Sequence, residues 1–318
     1  MKNRIEVLWT GGWDSTFMLC LLAKTKNVDI QPYYIDIERQ IRKEEKKAIQ
    51  TIYKILKKKK DLKGNILPCK FVPVKYTKPD EDVLNSFFKF RGKPYEIGGQ
   101  YKYIAQFAKT HPGICWGQER YLETPGHMTR LLQDKGSWKF DSDGVGYFIK
   151  EDCDPDVFNL FGNLRCPIAK YSEPMMWEKI KEWGYEDVFQ NIRFCYYPID
   201  GKPCGMCYYC ETKRKQKMDF LFSKEALILG DAIQEIKSQA KSLAVGNNDP
   251  FNKPLDYYFM FYKNPTFRED CLKNIVGDDE SDDFVQIIKE KEFDSKVSLY
   301  RNYFDKAIKK AKEKAGSE

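Results

Sequence analysis

Residues 4 to 16 read Arg-Ile-Glu-Val-Leu-Trp-Thr-Gly-Gly-Trp-Asp-Ser-Thr. Ile5, Val7 and Trp9 lie on an apolar, β-favouring run that Thr10-Gly11-Gly12 breaks. Asp14 and Ser15 then open a segment in which Phe17, Met18, Leu21 and Leu22 recur at helical spacing. A strand, a glycine turn and a helix start, in that order, can bind an anion. Gly11 and Gly12 let the backbone approach a phosphate with no Cβ in the way, and the first helical turn offers N–H groups at the positive end of the helix dipole. The same residues suit a tight turn with an Asp or Ser helix cap, and spacing alone leaves both readings open.

A second constellation lies far downstream. Cys195, Cys204, Cys207 and Cys210 are spaced C-x8-C-x2-C-x2-C. Four thiolates on closely spaced turns suit tetrahedral Zn²⁺ in a closed structural site. An iron–sulfur cluster also takes four cysteines. Disulfides fit less well, because the Cys-x2-Cys-x2-Cys run can hardly pair with itself. Gly201 and Gly205 supply the backbone freedom such knuckles need, and Lys213 and Arg214 stand just beyond to offset thiolate charge. The remaining cysteines (Cys20, Cys69, Cys115, Cys153, Cys166 and Cys271) read as small buried apolar residues. With only His111 and His127 in the chain, chemistry built on a histidine base or a histidine cage is disfavoured.

The elements that must position these groups alternate through the first half of the chain. After the first helix, Ile30 to Ile37 reads as a second strand ending near Asp36. A helix with Ile41, Ile49, Ile52, Tyr53 and Leu56 on one face follows it. Ile66 to Val74 is a third strand, shortened or bulged by Pro68 and Pro73. Residues 77 to 96 lack a pattern and read as a loop or lid. Gln100 to Thr110 is a helix, and Gly113 to Gly117 a short buried strand. This order predicts an α/β fold with a doubly wound parallel sheet, ligands lying at the carboxyl ends of the strands. Residues 120 to 165 show no strong period; Asp141-Ser142-Asp143-Gly144 lacks the other ligands of a calcium loop and reads as a turn. Glu173 to Trp183 is a helix ended by Gly184. Beyond the cysteines, helical patterns run over 221 to 243, 284 to 292 and 297 to 314.

Length allows one large domain or two ordinary ones, and abundant aromatics favour a packed core over disorder. No apolar run approaches the roughly 20 residues that span a bilayer, and the chain enters a strand at once with no leader pattern. A cytoplasmic protein is expected. The net charge of +7 is concentrated on lysines of helical faces, such as 42 to 60, which more often marks a solvated face than a nucleic-acid site.

Read together, the two constellations resemble one family. Thr10-Gly11-Gly12-Trp13-Asp14-Ser15 is similar to the Ser-Gly-Gly-x-Asp-Ser motif of the PP-loop ATP pyrophosphatase superfamily, whose fold is that of the adenine nucleotide alpha hydrolases. The cysteine run, with Phe194 before it, Tyr196-Tyr197 within it and Cys204-Gly205-Met206-Cys207 at its centre, resembles the zinc site of one branch, the QueC-like 7-cyano-7-deazaguanine synthases. The likeness spans residues 1 to about 217, implying a PP-loop domain over 1–218 with the zinc site inside it, and a helical extension over 219–318.

The resemblance implies an ATP-dependent ligase. The carboxylate of 7-carboxy-7-deazaguanine is adenylated with release of pyrophosphate, ammonia displaces AMP, and a second activation yields the nitrile. Thr10, Gly11, Gly12, Ser15 and Thr16 would then hold phosphate, Asp14 would help hold Mg²⁺, Asp36 would lie by the adenosine, and Zn²⁺ would do no redox work. The departures lie on the substrate side. Gly99-Gln100 replaces an Arg-Asn pair, and Glu123-Thr124-Pro125-Gly126-His127 replaces a Tyr-Pro-Asp segment. Glu173 falls where the family has a phosphate-facing lysine, a charge reversal that Lys170 is the nearest residue to compensate. Lys213 stands for an arginine, whose bidentate fork it cannot copy. Alternatives therefore stay open. One is a QueC-like defence component that joins a deazaguanine to a partner protein. The others are a base-modifying tRNA enzyme, which the cysteine spacing suits less well, and a non-catalytic nucleotide-binding subunit. A homodimer is compatible with each.

Overall fold

The computed structural model describes residues 4–37, 42–92, 94–119, 127–140, 145–195, 202–205, 207–224, 226–227 and 230–231. By its internal contacts the chain divides into two units, 1–193 and 194–318.

The first unit is built on a mixed sheet. β1 (Arg4–Leu8) leads through the glycine turn into α1 (Trp13–Thr25), and β2 (Asp29–Asp36) returns parallel to it, Val7 opposite Pro32. α2 (Arg42–Leu56) buries Ala48, Ile49, Ile52 and Leu56 along one stripe and turns its lysines outward. The expected third strand is split as its prolines dictate: β3 (Asn65–Ile66) and β4 (Lys70–Pro73) each pair with β2.

Within residues 77 to 96, read as a loop, the structure forms α3 (Glu81–Lys89). The Asp80 carboxylate caps it by accepting from Val83 N, and Val83 and Phe87, one turn apart, are buried. α4 (Tyr101–Thr110) and β5 (Ile114–Cys115) follow as expected, and β5 pairs with the other edge of β1.

The stretch read as aperiodic is structured too. It holds α5 (His127–Lys135), a hairpin of β6 (Trp138–Phe140) and β7 (Tyr147–Ile149), α6 (Pro155–Phe161) and β8 (Leu164–Cys166). These pieces are each too short to establish a period. The strand order is β3-β2-β1-β5-β8-β7-β6, with β4 also on β2. β1, β2, β3, β4, β5 and β8 run parallel, whereas β7 and β6 add an antiparallel edge. The architecture is a mixed α/β fold with a parallel-dominated sheet.

α7 (Glu173–Trp183) ends at Gly184, whose φ of 66° supplies the left-handed cap, and α8 (Glu186–Phe189) follows. Their aromatics grip α1. Phe17 stacks on Trp183 at 5.4 Å and meets Tyr171 edge-on at 5.3 Å, and Trp13 meets Phe189 at 5.1 Å. Leu8 faces a cluster containing Val83, Phe87, Phe107, Trp116 and Phe161, the last two stacked at 5.5 Å. The end of β1 and the start of α1 are thus fixed from several sides.

In the second unit, α9 (Tyr208–Lys215) runs directly out of the cysteine run, and Phe194 packs on Phe222 at 5.8 Å. The helices expected after 221, and the turn at 141 to 144, lie outside the described residues apart from the first few positions. No helix among the described residues is long and apolar enough to cross a membrane.

Candidate phosphate loop, carboxylate cluster and cysteine knuckle

β1 has β2 on one side and β5 on the other. The chain first winds away from β1 toward β2 and later returns to β5, so the order reverses at β1. In open α/β sheets the crevice at such a reversal, outside the carboxyl ends of the strands, is where ligands bind. The glycine turn lies there.

Gly11 has a φ of +71°, and a Cβ on it would come within 3.2 Å of Ile49 and 3.3 Å of Ala48 in α2, so only glycine serves. The turn is braced internally. The hydroxyls of Thr10 and Ser15 share a hydrogen bond of 3.1 Å, and Thr10 N donates to Ser15 Oγ at 3.2 Å. Gly12 is the N-cap of α1 without a side-chain cap, and Thr16 N donates to its carbonyl at 3.0 Å. The amides of residues 13 to 15 precede that first intrahelical bond, the arrangement that makes a helix start receptive to anions.

Thr16, expected to bind phosphate, is fully buried and accepts from Trp9 Nε1 at 3.0 Å. That hydroxyl serves the wall beneath the turn. Asp36, at the end of β2, forms an ion pair with Lys46 of α2. Lys170 is exposed, its ammonium 5.6 Å from the Tyr171 ring centre; it lies toward solvent and not in a buried site.

Asp14 has different company. Carboxylate oxygens of Asp14, Glu119 and Glu173 all lie within 4.8 Å of one another. Glu119 is 5% exposed and Glu173 4%. Asp14 opens α1 after β1, Glu119 follows β5, and Glu173 opens α7 after β8, so all three stand at the carboxyl ends of adjacent parallel strands. Gly117 makes the convergence feasible: a Cβ there would sit 2.9 Å from Ser15 N and 3.1 Å from Asp14 Cβ. Gathering three carboxyl groups where water is scarce concentrates negative charge that a cation offsets. Burial, with Asp14 adding to it, pushes the Tyr101 hydroxyl up to about 12, so it stays protonated beside this cluster. In the sequence Glu173 stands out only as a helix start and a charge reversal. Sequence reasoning misses Glu119 and takes Gly117 only as a strand end, although Gly-x-Glu after a short buried strand marks a close backbone approach with a carboxylate beyond it.

The four cysteines come together as their spacing predicts. Their sulfurs lie within 4.8 Å of one another and all four side chains are buried. Cys204 Sγ and Cys210 Sγ are 3.8 Å apart, and Cys207 Sγ and Cys210 Sγ 3.5 Å. These separations are far beyond a disulfide bond, and the four are free thiols. Backbone N–H groups point at sulfur: Cys204 N to Cys195 Sγ at 3.3 Å and Cys207 N to Cys204 Sγ at 3.4 Å. Hydrogen bonds from Cys195, Cys204 and Cys210 hold the Cys207 thiol far below its ordinary pKa. The cluster can hold a metal ion. Gly205, with φ +76°, is obligatory, since a Cβ would overlap the Ala226 carbonyl; Gly201 lies outside the described residues. Lys213 is buried, while Arg214 is committed to Asp231 and Asp219.

A scan of the chain against protein-family models finds no match.

Proposed function

We propose that this chain is an ATP-dependent C–N ligase that adenylates a deazapurine-type carboxylate, releases pyrophosphate and passes the activated acyl group to ammonia or an amine. The observation that carries the reading is the coincidence of a braced glycine turn, a helix start and three converging carboxylates at one reversal point of the sheet. The motif resemblance to the PP-loop pyrophosphatases and QueC-like synthases names the reaction.

In this reading the first-turn amides of α1 and the Gly11-Gly12 backbone cradle the leaving pyrophosphate, where negative charge develops. Ser15 and Thr10 hold the turn in shape. Asp14, Glu119 and Glu173 suit a hard, oxygen-seeking cation such as Mg²⁺. Bound to them, Mg²⁺ would neutralise phosphate charge and align the leaving group. Its two charges would offset two of the three carboxylates, so the positive charge that the family draws from a lysine would still have to come from elsewhere in the site. Asp36 and Lys46 frame the adenosine side at the end of β2. The Cys195, Cys204, Cys207 and Cys210 sulfurs fit Zn²⁺: tetrahedral ligation at about 2.3 Å spaces sulfurs about 3.8 Å apart. With all four positions taken by protein, such an ion has a structural role.

A second reading concerns the acceptor. Glu173, in the cluster, and Gln100, hydrogen-bonded to Tyr101, differ from the synthase pattern, which favours an altered substrate side, with an amine on a partner protein replacing ammonia. One assay separates the outcomes. The protein is incubated with ATP, Mg²⁺, 7-carboxy-7-deazaguanine and ammonium, and AMP and nitrile are followed by mass spectrometry. AMP with nitrile supports the synthase; AMP without nitrile points to another acceptor. No AMP with any acid tested rejects the ligase reading in favour of a binding subunit.

A further inference from the structure

Arg193 lies against the glycine turn. Its N–H donates to the Gly11 carbonyl at 2.8 Å, and its own carbonyl oxygen sits 3.2 Å from where a Cβ on Gly12 would be. The side chain is partly buried, with Nε shielded from solvent and donating no hydrogen bond. Several other cations in the first unit are matched to carboxylates, among them Lys24 to Asp61, Lys46 to Asp36, Lys59 to Asp187 and Lys109 to Asp80. Among the described residues, no carboxylate forms an ion pair with Arg193.

A guanidinium drawn partly out of water loses hydration and regains it only from an acceptor. Its stem is long enough to carry the planar donors from a backbone that touches Gly11 and Gly12 to an anion seated at the turn. The fork matches two oxygens of one phosphate, which a single amine cannot do.

We infer that Arg193 is a phosphate-binding residue of the nucleotide site, supplying the fixed positive charge that the resemblance leads one to seek at position 173. The inference rests on reading the glycine turn as the site for nucleotide phosphates. It assigns to the chain itself a charge that stays in place before any metal arrives.

The test is a binding series on the full-length protein with Mg²⁺ present: ATP, ADP, AMP and adenosine titrated calorimetrically against wild type, Arg193→Met and Arg193→Lys. Removing a charge-assisted contact should weaken ATP by on the order of 10- to 100-fold. The loss should shrink along the series and vanish for adenosine. Lys should recover only part of it. Metal content and melting temperature of each variant report on folding; should the Met variant fail to fold, the Lys variant carries the same series. Equal weakening of ATP and adenosine would assign Arg193 a purely structural role and overturn the inference. So would unchanged ATP affinity in a folded Met variant, in which case the nucleotide reading survives because wild type still binds ATP. If wild type binds none of the four while folded and metal-loaded, the nucleotide reading falls, and the inference with it.

Discussion

Among the described residues two tight clusters of metal-ligating side chains stand out, and they are assembled in opposite ways. The cysteine cluster takes its four sulfurs from 195 to 210 and orients them with local N–H···S bonds and one left-handed glycine. The carboxylate cluster takes its oxygens from positions 14, 119 and 173, and depends on three parallel strands lying in register and on Gly117 letting β5 approach α1. The difference predicts how each responds to damage. A local knuckle with few other sources of stability is folded by its ion, so ligand and fold are lost together. A cluster imposed by a sheet with its own aromatic core outlives its ligand, so binding can be lost while the fold stays.

The strongest test of this contrast is Cys207→Ser. Metal analysis should fall from about one Zn²⁺ per chain toward none, with a lowered and broadened thermal transition. A chelator should act the same way on wild type. A Cys207→Ser protein with unchanged metal and melting temperature would dissolve the contrast.

Asp14→Ala comes next. AMP formation should fall by on the order of a hundredfold or more, as expected when a metal-ligating and charge-placing group is removed. Zinc content and melting temperature should hold. Glu119→Gln and Glu173→Gln sharpen the point: each keeps the side-chain shape and removes a charge, and each should raise the Mg²⁺ concentration for half-saturation about tenfold, read by Mn²⁺ competition. Gly117→Ala probes the scaffold. Its Cβ would press on Ser15 N, and overpacking of this kind costs about 1–3 kcal/mol, measurable by denaturant unfolding together with weaker ATP binding.

The smallest effect belongs to Asp80→Ala, remote from both clusters. Loss of the cap on α3 should cost about 1 kcal/mol and leave metal and nucleotide binding alone. The hydrogen bond from Val83 N, followed by the one from Lys109, lowers the Asp80 pKa below its ordinary 3.8. Its stabilisation is therefore present above pH 3.8 and lost as pH falls through the lowered value, so wild type and variant should converge in acid.

The same contrast governs what could be read from the chain. Cys195, Cys204, Cys207 and Cys210 announce themselves because their chemistry is set by spacing over sixteen residues. The Thr10 to Ser15 turn and the long elements around it (β1, α1, β2, α2, α4 and α7) are legible for the same reason: each carries its own period, breaker or cap. Glu119 is silent in the sequence because its meaning is given by Asp14 and Glu173, more than fifty residues away on either side. Thr16 misleads because hydroxyls beside a phosphate motif look available, and only tertiary structure shows one turned to Trp9. α3 escapes because nine residues hold only about two and a half turns of pattern, and β6, β7, α6 and β8 are shorter still. Lys170 misleads by nearness in sequence, which does not bring an exposed side chain across a helix cap.

The bond between the Thr10 and Ser15 hydroxyls has a kinetic consequence. A turn already closed on itself has little conformational freedom to surrender when a ligand arrives. Nucleotide should meet a surface with its final outline, so association should follow a single phase whose rate rises linearly with concentration, with no saturating step for loop closure. The bonded amides of Thr10 and Thr16 should exchange slowly with deuterium before ligand is added, whereas those of residues 13 to 15 should gain protection when it binds.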